Sequence, residues 1–280
     1  MGCGDNNVIG VSINGSIDDL TEVNPKGGDN DDDYIDKFIT PPSLMIGLKS
    51  AKLILENEQS PSYTIFDTNP LSPMIVELVR GLPLFIANNS NYPSSGTYNK
   101  VQYEIIFYEV IIPVCERTVV DCPQRRMRVY LSQTLDPQLG PISAGDILIE
   151  EPPLNNTFKW INKSDGSYSD FRPADNLVHQ VPLDKFSSIG KISTDNIFSG
   201  TVSLSTPLII PTSPSGLSII EINFDIKDLF FYDDTNSNDR FDPFPILLSC
   251  DLDCDGHLDG ANPSADYYPA LPSISAAISE

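Results

Sequence analysis

The fourteen residues from Val101 to Val114, Val-Gln-Tyr-Glu-Ile-Ile-Phe-Tyr-Glu-Val-Ile-Ile-Pro-Val, constrain the fold more than any other stretch. Val101, Tyr103, Ile105 and Phe107 alternate with Gln102, Glu104 and Ile106. That is the period-two pattern of a strand with one face in and one face out. Towards its end the run becomes apolar on both faces, as in the core of a packed β structure. The rest of the chain agrees. Its 24 Pro and 17 Gly separate short β-branched and aromatic runs, and long Ala/Glu/Lys/Leu helical patterns are absent. The expected class is all-β, an antiparallel β-sandwich of Greek-key type. A chain of 280 residues holds enough apolar side chain for one large β domain or two smaller ones.

Other runs take their places around this one. Leu44 to Leu55 reads as a strand whose alternation breaks near Ser50, and Tyr63 to Phe66 follows it. Met74 to Val79 suits a strand or one short helix, and Leu84 to Ala87 is strand-like. Arg125 to Leu131 is expected to pair with the central run as a hairpin, with Arg126 and Arg128 on one face and facing Glu104 or Glu109. Asp146 to Glu150, Thr157 to Ile161 and Leu177 to Val181 are short candidate strands. Phe198 to Ile210 and Leu217 to Tyr232 are strong ones. Residues 1–40 are rich in Gly, Asn and Asp and include the run Asp29-Asn30-Asp31-Asp32-Asp33; they read as a flexible acidic tether in which Val8 to Ile13 could dock as a strand. Residues 41–232 read as the sandwich domain, and residues 233–280 as a C-terminal extension packed on it, whose tail from Ala261 is rich in Pro and Ser and is expected to lie on the surface.

That extension carries two acidic loops of one design. The second is Asp251-Leu-Asp253-Cys-Asp255-Gly256-His257-Leu-Asp259, with oxygen side chains at loop positions 1, 3, 5 and 9 and Gly at position 6. The first, Asp234-Thr-Asn236-Ser-Asn238-Asp239-Arg-Phe-Asp242, has the same spacing with Asp239 in the glycine's place. Ca²⁺ takes six to eight hard oxygen ligands, and a glycine lets the chain turn sharply around the ion. His257 stands where a backbone carbonyl, not a ring nitrogen, would coordinate. Both loops resemble the calcium loops of EF-hands, dockerins and thrombospondin type 3 repeats. The resemblance implies Ca²⁺ held by Asp234, Asn236, Asn238 and Asp242 in one loop and by Asp251, Asp253, Asp255, His257 and Asp259 in the other. It departs from the EF-hand at position 12, where Pro245 and Asn262 stand in place of a bidentate Glu, and no amphipathic helix flanks either loop.

Charge and cysteine content narrow the setting. With 39 acids against 17 bases the formal charge is −22, which argues against nucleic acid and against adhesion to anionic lipid through protein charge. Five cysteines leave one over. Cys115 with Cys122 and Cys250 with Cys254 are expected to form disulfides outside the cytosol, although the other two pairings of the four stay open. Cys3 is then the odd one. The start Met1-Gly2-Cys3-Gly4-Asp5-Asn6-Asn7 is similar to a mature bacterial lipoprotein, in which the signal peptide is cut before a Cys that takes the lipid. This implies lipidation at Cys3 and a place in the cell envelope, as an outer-membrane, periplasmic or surface-exposed lipoprotein, or else secretion. Ser94-Ser95-Gly96-Thr97-Tyr98, leading into the central strand, resembles secreted bacterial β-sandwich domains of unknown function.

Enzyme signatures are scarce. His179 and His257 are the only histidines, and there is no Gly-x-Ser-x-Gly elbow, phosphate-cradling loop or dinucleotide fingerprint. A glycoside hydrolase needs only two carboxylates; Glu150 with Glu151, or Glu104 with Glu109, are the candidates, the first pair disfavoured because strand neighbours point oppositely. The expected function is therefore a calcium-binding, lipid-anchored surface or periplasmic protein, monomeric, with no catalytic residues and a structural or adhesive role towards a protein or glycan. The second reading is a carbohydrate-binding or carbohydrate-active module with Trp160, Tyr168, Tyr267 and Tyr268 as sugar platforms.

Overall fold

The computed structural model describes residues 8–16, 35–39, 44–59, 61–78, 84–88, 93–113, 124–151, 157–162, 167–178, 180, 183, 190–210, 217–225, 230–234, 267–269 and 273–279. In chain order the strands are β1 (Val8–Ser16), β2 (Ile35–Ile39), β3 (Leu44–Leu55), β4 (Tyr63–Asp67), β5 (Met74–Leu78), β6 (Leu84–Asn88), β7 (Gly96–Pro113), β8 (Gln124–Tyr130), β9 (Thr134–Asp136) and β10 (Gly140–Ile142). They continue as β11 (Ile147–Glu150), β12 (Phe158–Ile161), β13 (Tyr168–Ser169), β14 (Lys191–Ile192), β15 (Phe198–Ile210), β16 (Leu217–Asp225), β17 (Phe230–Asp234), β18 (Tyr267–Pro269) and β19 (Ser273–Ser279). The all-β expectation holds among the described residues.

The central run is longer than its clearest alternation, reaching back to Gly96. One edge of β7 pairs with β3 along nearly its whole length, from Leu55↔Tyr98 to Leu44↔Val110. That ladder shifts register between Leu48 and Ser50, where the sequence alternation breaks. The other edge is shared. β15 pairs with residues 96–105 and β8 with residues 107–113, so two strands abut end to end along one edge of β7. β8 continues into β11, β12 and β13. β15 continues into β19, β16, β1 and β6.

The fork between β8 and β15 is held by Ser132, which is fully buried. Its hydroxyl donates to the Ile105 carbonyl of β7 and accepts from the Phe198 N–H of β15 at 2.8 Å. The amides of Leu131 and Ser132 both reach the Ile106 carbonyl, at 2.9 and 3.1 Å. Beside them Gln133 N–H donates to Asn196 O at 2.9 Å. Asn196 has a φ of 58°, a left-handed conformation that Asn tolerates better than most residues.

The two faces of this sheet bury separate clusters. Leu44, Ile46, Leu48, Leu53, Val76, Val101, Tyr103, Val110, Met127, Val129, Ile147 and Ile149 belong to the larger one. Phe107, Tyr130, Ile142, Leu148, Phe158, Trp160 and Val178 belong to the smaller. The two-faced apolar end of the central run thus has cover on both sides.

Of the two readings of Met74 to Val79, the strand holds: Met74–Leu78 pairs with β3. Other sequence expectations are corrected. Leu177 to Val181 is not a strand among its described residues; Val178 and Gln180 form isolated bridges to Asn162 and Asp146. The run 217–232 divides into β16 and β17, which join different sheets. The ladders are not all antiparallel. β1 runs parallel to β16, and β15 meets β19 in a parallel bridge at Leu204↔Ala276. Parallel neighbours need long crossover connections, and these partners lie far apart in the chain. β1 matches the docking segment foreseen at Val8 to Ile13, whereas β18 and β19 lie in a tail read as surface chain.

Candidate functional site

A buried charged arrangement crosses β7, β8, β11 and β12 on the face of the smaller cluster. Register sets its members. Glu109 stands opposite Arg128 and Ile111 opposite Arg126; Arg128 stands opposite Leu148. Alternation puts Arg126 and Arg128 on one face, as expected, and the acid they meet is Glu109, not Glu104.

Glu109 is only 2% exposed. One of its oxygens accepts from Arg128 Nε at 2.9 Å and from Nη2 at 2.7 Å. The other lies 3.2 Å from Arg126 Nε, and Glu150 Oε2 approaches the same nitrogen at 3.8 Å. The Arg128 guanidinium lies between two phenyl rings, 4.3 Å from the Phe107 centroid and 4.0 Å from that of Phe158. Behind Phe107 sits Gly47 of β3, where an added Cβ would meet the ring at 2.6 Å. Glycine, ring, guanidinium and ring therefore stack across four strands. Burial pushes the Glu109 carboxyl above its ordinary value, against the pull of Arg128 and Arg126. Arg128 is held above its own ordinary value despite burial, by Tyr130 and Glu109.

A second group centres on Asp146, which is fully buried. It accepts from Arg172 Nε at 3.0 Å and Nη2 at 3.1 Å, from Gln180 Nε2 at 2.7 Å and from Ser143 N–H at 2.7 Å. Four donors answer the cost of burying a carboxylate. A third group lies nearer the surface, where Glu104 accepts from Lys49 at 2.7 Å and from Ser50 at 2.6 Å, with Lys52 at 3.4 Å. Burial alone would raise the Glu104 carboxyl; the Lys49 and Ser50 hydrogen bonds and the two lysine charges overcome it and hold Glu104 below its ordinary value.

These arrangements bear on the sequence candidates. Glu104 and Glu109 are engaged by different cations and do not share a site. The two carboxylates that meet at one group are Glu109 and Glu150, joined through Arg126, and both are almost wholly buried. Charges neutralised this way, without exposed carboxylate oxygen, suit a cross-strand clamp that fixes register. Trp160 is fully buried, which removes it as a sugar platform. Tyr168 packs against the larger cluster. Tyr267 and Tyr268 lie on β18, paired with Tyr232 and Phe231.

Of the calcium-loop residues, Asp234 is the last residue of β17 and pairs with Ile35 of β2; one step earlier Asp233 stands opposite Asp36. Asn236, Asn238, Asp242, Asp251, Asp253, Asp255, His257 and Asp259 lie outside the described residues, as do Cys3, Cys115, Cys122, Cys250, Cys254, His179 and the run Asp29 to Asp33. No group of three or more His, Cys, Asp or Glu able to hold a metal occurs among the described residues, and no helix among them is long and apolar enough to cross a membrane. Compared with known proteins, the chain matches no family model, no curated protein and no solved structure.

Proposed function

We propose that this chain is a calcium-binding protein of the bacterial cell envelope, anchored by a lipid on Cys3, whose β-sandwich presents a structural or adhesive surface to a protein or glycan. The sheet that β7 organises forms the sandwich, and the segment 233–280 is a calcium-loop extension stapled by Cys250–Cys254, with Cys115–Cys122 closing the β7–β8 connection. The observation that carries the reading is the acidic junction at the mouth of the first loop. β17 ends at Asp234, the first ligand position, and the register sets Asp233 directly opposite Asp36. Like charges opposite each other in a ladder repel, and a divalent cation removes that repulsion. A chain of formal charge −22 gains from such neutralisation throughout its acidic segments.

The test is thermal unfolding with Ca²⁺ and with chelator. A ligand that binds only the folded form stabilises by about 2.7 kcal/mol at a hundred times its Kd, so Ca²⁺ raises Tm. Asp253→Ala with Asp255→Ala lowers the calcium-dependent part of that rise, and Asp234→Ala removes the remainder. Equal melting curves with Ca²⁺ and with chelator refute the proposal. The carbohydrate-module reading is the weaker one, because Trp160 is enclosed in the core. A glycan array distinguishes the two.

A further inference from the structure

Residues 170–178 and Gln180 follow β13 without joining a ladder. Among the described residues their backbone meets the sheet at two isolated bridges, Asn162↔Val178 and Asp146↔Gln180. One side chain holds both ends. Asp146 takes two hydrogen bonds from Arg172 at the start and one from Gln180 at the finish. Between them Val178, 1% exposed, shares the smaller apolar cluster with Trp160. The residues around Arg172 face water: Phe171 is 81% exposed, and Asp175, whose carboxylate also accepts from Arg172, is 88% exposed at its side chain.

Beneath the segment lies Trp160, the only tryptophan of the chain, with the Arg172 guanidinium 5.7 Å from its ring centroid. Trp160 is fully buried, yet its indole N–H has no hydrogen-bond partner among the described residues. A buried donor left unmet raises the energy of the closed arrangement, and water would satisfy it on opening.

We propose that residues 170–178, latched at Arg172 and at Gln180, form a strap that lifts as a local unit, releasing both side chains from Asp146 and uncovering Trp160 while the β7–β8–β11 ladders stay intact. Opening costs one apolar anchor, three side-chain hydrogen bonds and the two backbone bridges, and restores the solvation of the indole N–H. Segments with few ladder bonds and little buried apolar surface open far more readily than the whole fold.

The single tryptophan makes the strap directly measurable. Acrylamide quenching of Trp160 fluorescence is compared in the full chain, in Arg172→Lys and in Gln180→Ala. Losing one hydrogen bond to a buried carboxylate shifts the opening equilibrium by about tenfold. The quenching constant therefore rises in both variants while far-UV circular dichroism and the urea m-value stay at their wild-type values. Wild-type quenching in well-folded variants overturns the proposal. Native-state hydrogen exchange on the unaltered chain covers the case in which the variants fold poorly. The Leu177 amide, bonded to Ala174 O, exchanges with an opening free energy independent of urea, whereas the Met127 amide in β8 follows the global slope. A shared slope for the two amides overturns the proposal as well.

Discussion

Replacing Ser132 by Ala tests the fork on which the sheet depends. The hydroxyl bridges β7 and β15 by donating to Ile105 O and accepting from Phe198 N–H, and Ser132 and Phe198 are both fully buried. Alanine fills almost the same volume, so packing changes little. The loss is polar: Phe198 N–H loses its bond to the Ser132 hydroxyl at a buried site, at about 1–3 kcal/mol, and the bond to Ile105 O is lost at about 1 kcal/mol. We expect a destabilisation of about 2–4 kcal/mol. Urea unfolding of Ser132→Ala and wild type measures it, with an unchanged m-value indicating that stability alone has moved. Ser193→Ala is the control. Its hydroxyl accepts a longer bond, 3.3 Å from Ile197 N–H, in a partly exposed turn, and its loss is expected to cost less than about 1 kcal/mol. If Ser132→Ala lies within about 0.5 kcal/mol of wild type, the hydroxyl does not join the two strands and the argument for the fork fails.

Gly47→Ala drives a methyl into the Phe107 ring, which Arg128 covers on its other side, and is expected to cost about 1–3 kcal/mol in urea unfolding. Glu109→Ala strips the main carboxylate from a guanidinium enclosed by two rings and is expected to cost about 3–5 kcal/mol, whereas Glu109→Leu combined with Arg128→Met is expected to fall near wild type; a double-mutant cycle measures the difference. Glu104 is held below its ordinary value in the fold, so its contribution is fully present above the unfolded carboxylate range and is lost as pH falls through the depressed value. The stability gap between wild type and Glu104→Gln should be constant near neutral pH and close under acid, which unfolding at a series of pH values follows.

What the sequence made legible is what alternation controls. β3, β7, β8, β15 and β16 were readable because their side chains repeat every two residues, and the break near Ser50 appears in the structure as a register shift. Alternation also put Arg126 and Arg128 on one face. It could not say which acid they meet, because a hairpin's register depends on its connection and a one-residue slip changes every partner. Asp146 and Arg172 are 26 residues apart, and no local pattern announces that one neutralises the other. Trp160 was a candidate both for a strand and for a sugar platform, and its burial beside Arg172 and Val178 depends on residues 12 and 18 positions away, which no local period announces. β19, Ser-Ile-Ser-Ala-Ala-Ile-Ser, read as surface chain because small residues carry little apolar signal, although its backbone lies between β15 and β16.

Calorimetric titration of Ca²⁺ into chelator-stripped protein addresses the proposed role most directly. Two loops of one ligand spacing predict saturable binding of two ions per chain, in roughly the 10⁻⁴ to 10⁻³ M range of extracellular modules, falling to one ion in the Asp253→Ala and Asp255→Ala double variant. A titration with no saturable heat, or one that the double variant leaves unchanged, contradicts it.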